Sequence, residues 1–254
     1  MTRHVLVTGA AGGIGLAVAK AFAALGDAVT GADARPAELA DAMAPLNGHA
    51  LVADLADAGC AEVVDRAVAA AGPVDVLVNA AGIYPATTLA DMTARAWDRV
   101  QHLNVRAPML LTRAVAAAGR PASVVNISSS AATRARPGAA HYCTSKAAVE
   151  MLTKACAVEL AGQGIRVNAV APGFVEVDSP VNPVTPDYAR AVSANPIGRA
   201  GTTAEIAAAV VWVAGADAAF VTGSVLRVDG GGTAGNAALP LHFPSVTALQ
   251  EGTS

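Results

Sequence analysis

Tyr142 and Lys146 stand four residues apart in HYCTSKAAVEML, a stretch of helical character, and Ser129 follows the apolar run SVVNIS upstream. Residues at i and i+4 share one face of a helix, so the phenol and the ammonium can meet. A free tyrosine, with a pKa of ~10, is a poor base at neutral pH, and a neighbouring ammonium favours its charged form. A phenol, an ammonium and a hydroxyl in one pocket are the equipment for moving a proton at an alcohol or ketone. His141 precedes the tyrosine, but its side chain leaves the helix roughly 100° away. No GxSxG elbow accompanies it, so it is read as an ordinary helix-start histidine and not as part of a Ser/His hydrolase.

These groups must be held by an alternating chain. The apolar runs fall at 5–8, 28–32, 49–53, 74–80, 123–128, 165–171 and 224–228. Between them lie helical stretches near 13–25, 36–44, 58–71, 93–118, 140–162 and 202–214. Strands apolar on both sides and separated by helices belong to a parallel sheet covered on both faces. The expectation is one α/β domain, a Rossmann-type doubly wound parallel sheet of about seven strands, over residues 1–232. The segment 177–196, with four prolines, breaks the alternation and is expected to form a substrate lid at about 177–200. The tail 233–254 is either a loose end or an arm that docks on a neighbouring subunit.

Composition removes several classes of function. The net charge of -3 and pI near 5.9 offer no basic footprint for nucleic acid or an anionic membrane. Cys60, Cys143 and Cys156 are odd in number and lack metal-ligand spacing, so free thiols and no metal site are expected. The first strand begins at His4, leaving no room for a signal peptide, and the apolar stretch 206–216 is short of the roughly 20 residues of a membrane span. A soluble, cytoplasmic protein is the expectation.

A nucleotide site is suggested at the other end of the pattern. The first strand runs into Thr8-Gly9-Ala10-Ala11-Gly12-Gly13-Ile14-Gly15 and then a helix. Glycines there allow a tight bend and let backbone N–H groups approach a pyrophosphate. Asp33 ends the second strand, where its carboxylate can accept hydrogen bonds from the adenosine ribose and repel a 2′-phosphate. Arg35, two residues later, opposes that repulsion, but the placement of the acid favours NAD over NADP. Asp54 after the third strand is either an acceptor for the adenine amino group or a helix N-cap. Asn79-Ala80-Ala81-Gly82 lets the backbone pass close to a ligand, or is a simple turn.

Taken in order, TGAAGGIG (8–15), DL (54–55), NAAG (79–82), Asn104 in HLNV, Ser129 in NISSS, YCTSK (142–146), PG (172–173) and VTGSVLRVDGG (221–231) resemble the short-chain dehydrogenase/reductase family from His4 to about Gly232. The resemblance implies a catalytic tetrad of Asn104, Ser129, Tyr142 and Lys146. Ser129 is chosen from three serines because it lies thirteen residues before the tyrosine, as in the family. Lys146 is implied to touch the nicotinamide ribose, and Asn104 to position a water that relays protons. The cofactor contacts implied are Gly9, Gly13, Ile14, Gly15 and Asp33 at the first turn, and Asp54, Leu55, Asn79, Ala80 and Gly82 after strands three and four. Pro172, Gly173 and Val175, with Tyr142 and Lys146, complete them.

Val177 stands where the family commonly has a threonine that helps hold the nicotinamide, so backbone or Ser179 is left to do so. Gly12, where NADP-preferring members often carry a basic residue, agrees with NAD. The substrate pocket is expected among Ser129, Tyr142, Ile83, Tyr84, Pro85 and the lid, with Glu176 and Asp178 as polar contacts; Arg134 and Arg136, in the loop after Ser129, are the candidates for an anionic substrate but are read as solvated. That points to a neutral secondary alcohol or ketone, with a polyol second. A 3-oxoacyl thioester reductase and a non-catalytic nucleotide-binding redox sensor are the alternatives. The resemblance also implies a homotetramer packed through the helices near 93–118 and 140–162.

Overall fold

The computed structural model describes residues 2–177 and 195–235, with 185, 187, 189 and 191 between them. Most of the expected lid and nearly all of the tail, including Ser179 and Asp178, lie outside the described residues.

Seven parallel strands form one sheet in the order β3-β2-β1-β4-β5-β6-β7. They are β1 (His4–Thr8), β2 (Ala28–Asp33), β3 (His49–Val52), β4 (Val76–Asn79), β5 (Ala122–Ile127), β6 (Ile165–Pro172) and β7 (Val225–Val228). Side chains of period two divide between the faces. Val5 and Val7, Val76 and Val78 point to one, where α1 (Gly13–Ala24), α2 (Pro36–Met43) and a helix over Thr203–Ala214 pack through Val18, Phe22, Leu39, Ile206 and Val210. Leu6 and Leu77 point to the other, against α3 (Glu62–Ala71) and α5 (Ala107–Ala116) through Val63, Ala67, Leu111 and Val115. Both faces are covered, as the continuous apolar strands require. The chain reverses its direction of winding between β1 and β4, and in such sheets ligands settle beyond the carboxyl ends of the strands at that point.

The sequence pattern suggested one helix over 93–118. The structure holds α4 (Ala94–Gln101) and α5 separated by a π-turn over His102–Arg106, in which the Ala107 N–H reaches back to the His102 carbonyl. Pro108 has no N–H to offer the carbonyl four residues before it, that of Asn104, so a regular α-helix cannot run through this point. Wider turns of this kind are frequent at functional sites. Similarly, 58–71 opens with a tight turn over Ala58–Ala61 before α3 begins. The long helix α6 (Ala140–Leu160) and the final helix α7 (Thr203–Ala214) match their expected bounds. Among the described residues no helix is long and apolar enough to cross a membrane.

Candidate active site

The nucleotide end is built from backbone. Gly9 adopts a φ of 69°, and a Cβ there would stand 2.9 Å from the Ala81 Cα; one on Gly15 would stand 2.2 Å from the Gly9 carbonyl oxygen. The two glycines let β1, α1 and the segment after β4 close on one another. Thr8 completes the closure: its hydroxyl accepts the N–H groups of Ala80 and Ala81 at 3.0 and 3.1 Å. This threonine sat inside the glycine motif in the sequence, but its clamp on β4 depends on strand neighbours far apart in the chain.

The start of α1 is left open. Gly12 provides no side-chain cap, and the first turn carries no acidic residue. The leading N–H groups of a helix lack partners within it, and with the helix dipole they form a seat for an anion. Asp33, 9% exposed, lies beside this seat and accepts the Ala11 N–H at 3.1 Å. The Arg35 guanidinium grips the same carboxylate through Nε at 3.1 Å and Nη2 at 3.2 Å, and lies over Gly12. The acid and the base are thus one ion pair, not competing groups. These residues fit the pyrophosphate and ribose of a dinucleotide.

The remaining expected contacts are of mixed character. Asp54 is exposed and accepts the Ala56 N–H at 2.9 Å, closing a turn before the Ala58–Ala61 segment instead of capping α3. The Leu55 side chain is buried in the core, so it can meet a ligand only through its backbone. Asn79 donates to Asn126 Oδ1 at 2.8 Å, while its own Oδ1 is buried without a partner. Gly173 lies against Asp229, where a Cβ would meet Cα at 2.8 Å. From Pro172 the chain pairs Val175 with Gly201. It then brings Val177 onto Gly13, whose absent Cβ would lie 3.2 Å from a Val177 methyl.

The proton-moving groups gather at the carboxyl ends of β4 and β5. The Ser129 hydroxyl lies near enough to the Tyr142 phenol to lower its pKa, and it accepts the Ala131 N–H at 3.1 Å. Its neighbour Ser128 turns away, donating to Glu150 at 3.0 Å. Lys146, 6% exposed, donates to the Ile127 carbonyl at 2.8 Å and lies 5.7 Å from the Tyr142 ring centroid. Burial pushes its pKa down to about 8. Burial also raises that of Tyr142; the Ser129 hydroxyl and the charge of Arg136 act against it. The expectation that Lys146 alone would favour the phenolate is therefore modified, because Arg136 supplies the opposing charge.

Asn104, fixed by the π-turn, donates through Nδ2 to the Ile83 carbonyl at 2.9 Å and accepts the Ile83 N–H at 3.0 Å. It also donates to Ser145 Oγ at 3.1 Å. Gly82 lies close enough that a Cβ would sit 3.2 Å from Asn104 Oδ1 and 3.6 Å from Lys146 Nζ. The asparagine thus binds the strand-four loop to α6. A second chain, Asn79 to Asn126 to Thr153, at 2.8 and 2.9 Å, ties β4 and β5 to α6 beneath it. Tyr84 packs on Tyr142 with ring centroids 5.5 Å apart, as expected of a pocket wall.

Two sequence readings change, those of Arg136 and His141. Arg136 is half-buried with its guanidinium carbon 5.4 Å from the Tyr142 ring centroid, where a solvated loop arginine was expected. Arg134 stays exposed while donating to the Gly232 carbonyl. His141 is fully buried with both ring nitrogens unpartnered, and burial lowers its pKa. The three cysteines are free, Cys60 buried and the others half-buried.

A parallel sheet with an open helix end at its switch point and a Ser–Tyr–Lys cluster beyond β5 defines a dinucleotide-dependent oxidoreductase acting on CH–OH groups. The chain belongs to the short-chain dehydrogenase/reductase family: a family model described as enoyl-(acyl carrier protein) reductase matches residues 9–233. It is 38% identical to the 3-oxoacyl-(acyl-carrier-protein) reductase of Thermotoga maritima, over 89% of this chain and 96% of the relative. It is also 38% identical to the galactitol 2-dehydrogenase (L-tagatose-forming) of Cereibacter sphaeroides, over 89% and 93%. Among solved structures, a blue fluorescent protein from a metagenomic library in complex with NADPH superposes with a TM-score of 0.84 at 33% identity, covering 90% of this chain and 97% of that one. A 4-hydroxyisoleucine dehydrogenase complexed with NADH does so at 0.84 and 28% identity, covering 92% and 100%. The cofactor class is nicotinamide.

Proposed function

We propose that this chain is an NAD(H)-dependent dehydrogenase that interconverts a secondary alcohol and a ketone, with Tyr142 as proton donor and acceptor. The gathering of Ser129, Tyr142 and Lys146 at the ends of β4 and β5, with Lys146 Nζ 5.7 Å from the Tyr142 ring centroid, is the observation that carries the reading. Bound nicotinamide supplies the hydride acceptor in oxidation and the hydride donor in reduction. Tyr142 takes the hydroxyl proton in oxidation and returns it in reduction, and Ser129 orients the substrate oxygen. Lys146 passes the proton onward, and Asn104 holds the wall of the pocket and a relaying water. The segment 177–200 acts as the lid of a domain spanning 1–232, with 233–254 as a tail.

NAD is favoured because the Asp33 carboxylate, at the end of β2 beside the open start of α1, would repel a 2′-phosphate. The Arg35 pair weakens that repulsion, so the preference is modest, and Arg35→Ala sharpens it. Exposed Met151 and Val158 on α6, 63% and 82% accessible, support a homotetramer joined through this helix, which light scattering on the purified protein tests. Free thiols agree with a cytoplasmic setting.

The deciding experiment follows reduced nicotinamide absorbance with NAD and NADP offered separately, across a panel of secondary alcohols and one 3-oxoacyl thioester. Turnover with NAD is expected to fall by about 10³-fold in Tyr142→Phe while NADH affinity holds within a few-fold. Because the phenol pKa is raised, alcohol oxidation should keep rising with pH through the neutral range. Undiminished turnover in the variant would overturn the tyrosine's role, and preference for NADP would overturn that of Asp33. Faster reduction of the thioester than of simple ketones would select the 3-oxoacyl reading instead.

A further inference from the structure

We infer that Arg106 is a positioning residue that joins the two ends of the dinucleotide site: through the π-turn it shares with Asn104, filling the adenosine end tightens the catalytic end. This rests on the dehydrogenase reading and adds to it a regulation of that site by its own cofactor.

The loop after β3 borders the adenosine end. The Ala53 N–H donates to the Asp33 carbonyl at 2.9 Å, so the loop leaves the sheet beside the open start of α1. Asp54 then folds it by accepting the Ala56 N–H at 2.9 Å. Strand β3 stands four places from β5 in the sheet, about 19 Å at the usual strand spacing. The loop and the Ser129–Tyr142–Lys146 cluster therefore need an intermediary if one is to sense the other.

The π-turn lies between them. Residues two apart on a helix point to different sides, and this turn uses both. Arg106 Nη2 donates to the Ala56 carbonyl, while Asn104 holds the N–H and the carbonyl of Ile83 and donates to Ser145 Oγ. Ser145 in turn donates to the Tyr142 carbonyl at 2.7 Å. A connected set of bonds thus runs from the loop after β3, through Arg106 and Asn104, to the loop after β4 and to the backbone of the tyrosine.

Packing does not ask for this tie. Leu55 and Cys60 already sit in the core with Ala107 and Leu111, which holds the loop against α5. Burial raises the Cys60 pKa and the Arg106 charge acts against it, so the guanidinium lies beside that cluster. Its buried Nε makes no hydrogen bond, and an unsatisfied buried donor costs stability. What the arginine adds is the link itself. Binding energy from the adenosine half, remote from the reacting carbon, can improve alignment there only through such a link.

Cutting the cofactor in two separates coupling from structure. In the parent, millimolar AMP alone should slow hydrogen exchange at the Ile83 N–H. It should also tighten reduced nicotinamide mononucleotide, read by its fluorescence, by about 10-fold. Arg106→Met keeps an apolar stem and drops the donor; it should cut the AMP effect on the mononucleotide to about twofold or less and abolish that on exchange. Binding of the mononucleotide by itself should hold within a few-fold, and Arg106→Lys should restore part of the coupling. With whole NAD at saturation, kcat in Arg106→Met should fall by about 10-fold. Exchange at Ile83 indifferent to AMP in the parent overturns the inference, as does an AMP effect equal in the parent and Arg106→Met. Weaker binding of the mononucleotide alone together with a lower Tm would make the role structural and also overturns it. Tyr142→Phe abolishes turnover but leaves the AMP effects in place, so failure of the proton-transfer reading is seen separately.

Discussion

The helices α1 and α7 lie against each other on one face of the sheet, yet their N-termini are finished in opposite ways. Thr202 caps α7 by accepting the Glu205 N–H at 3.2 Å, and the Glu205 carboxylate returns to the Thr202 N–H at 2.8 Å. Its neighbour α1 opens on Gly12 with no cap and no acid in its first turn. One helix satisfies its own end; the other keeps its donors for something from outside. The same contrast holds for ionisable groups. Glu205 is held down to about 2 by the Arg199 guanidinium and by Thr202, whereas Lys146 is pushed down to about 8 by burial, its ammonium on a carbonyl. In this fold the under-satisfied groups mark the ligand side.

The largest effect is expected where the open end meets the sheet. In Gly15→Ala the new Cβ would stand 2.2 Å from the Gly9 carbonyl oxygen and 2.7 Å from its carbon, both backbone atoms that cannot yield without opening the turn. A loss of about 1–3 kcal/mol in thermal unfolding, with NADH affinity down by about 100-fold or more, is the expected outcome. Normal NADH titration in this variant would show that the turn does not set the site.

Gly12→Asp sharpens the comparison by giving α1 the kind of end α7 has. Gly12 is extended at a φ of 179°, which any residue adopts, and its absent Cβ would meet only Arg35, at 3.6 Å. The carboxylate caps the helix and should raise stability by about 0.5–1 kcal/mol. Occupying the anion seat, it should weaken NADH binding by about 100-fold. Opposite signs in the two measurements are the signature; a fall in both would refute the idea of an end kept open.

Lys146 extends the argument to pH. Its folded pKa of about 8 lies below the ordinary 10.5, so between those values the unfolded chain retains a proton that the folded chain has released. Unfolding free energy should therefore rise with pH over this window, by about 3 kcal/mol at most. The raised Tyr142 pKa works the other way above about pH 10, which closes the window. Urea denaturation at pH 7.5 and 9.5 should show the rise in the parent and its loss in Lys146→Met; an equal rise in both would place its source elsewhere.

What could be read beforehand followed from local patterning. The seven strands and the bounds of α1, α2, α6 and α7 were legible because apolar runs and helical periods depend on neighbours in the chain. So was the grouping of Ser129, Tyr142 and Lys146. The break at Asn104 had a signal in Pro108, masked by helical composition on both sides. Arg136 stood beside Arg134 as a loop arginine able to meet an anionic substrate but read as solvated; that one of the two is half-buried against Tyr142 while the other stays exposed depends on loop contacts such as that of Gly138 with Thr87. The Asp33–Arg35 pair was seen as two opposing influences because their mutual grip depends on rotamers, which sequence does not specify.

The smallest effect should come from Thr202→Ala, which leaves the Glu205 N–H without its cap. A loss of about 1 kcal/mol is expected, seen as a fall of roughly 2–4 °C in Tm for a chain of this size. NADH affinity should hold, because the box serves α7 alone. The result is informative in either direction, since Thr202 follows Gly201, whose N–H donates to the Phe174 carbonyl at 2.9 Å while its own carbonyl accepts the Glu176 N–H at 3.0 Å. Those two bonds carry the chain toward Val177 and Gly13. If Thr202→Ala weakens NADH binding along with stability, the capped end of α7 is an anchor for the segment lying over the open end of α1, and the two helix ends act as one device.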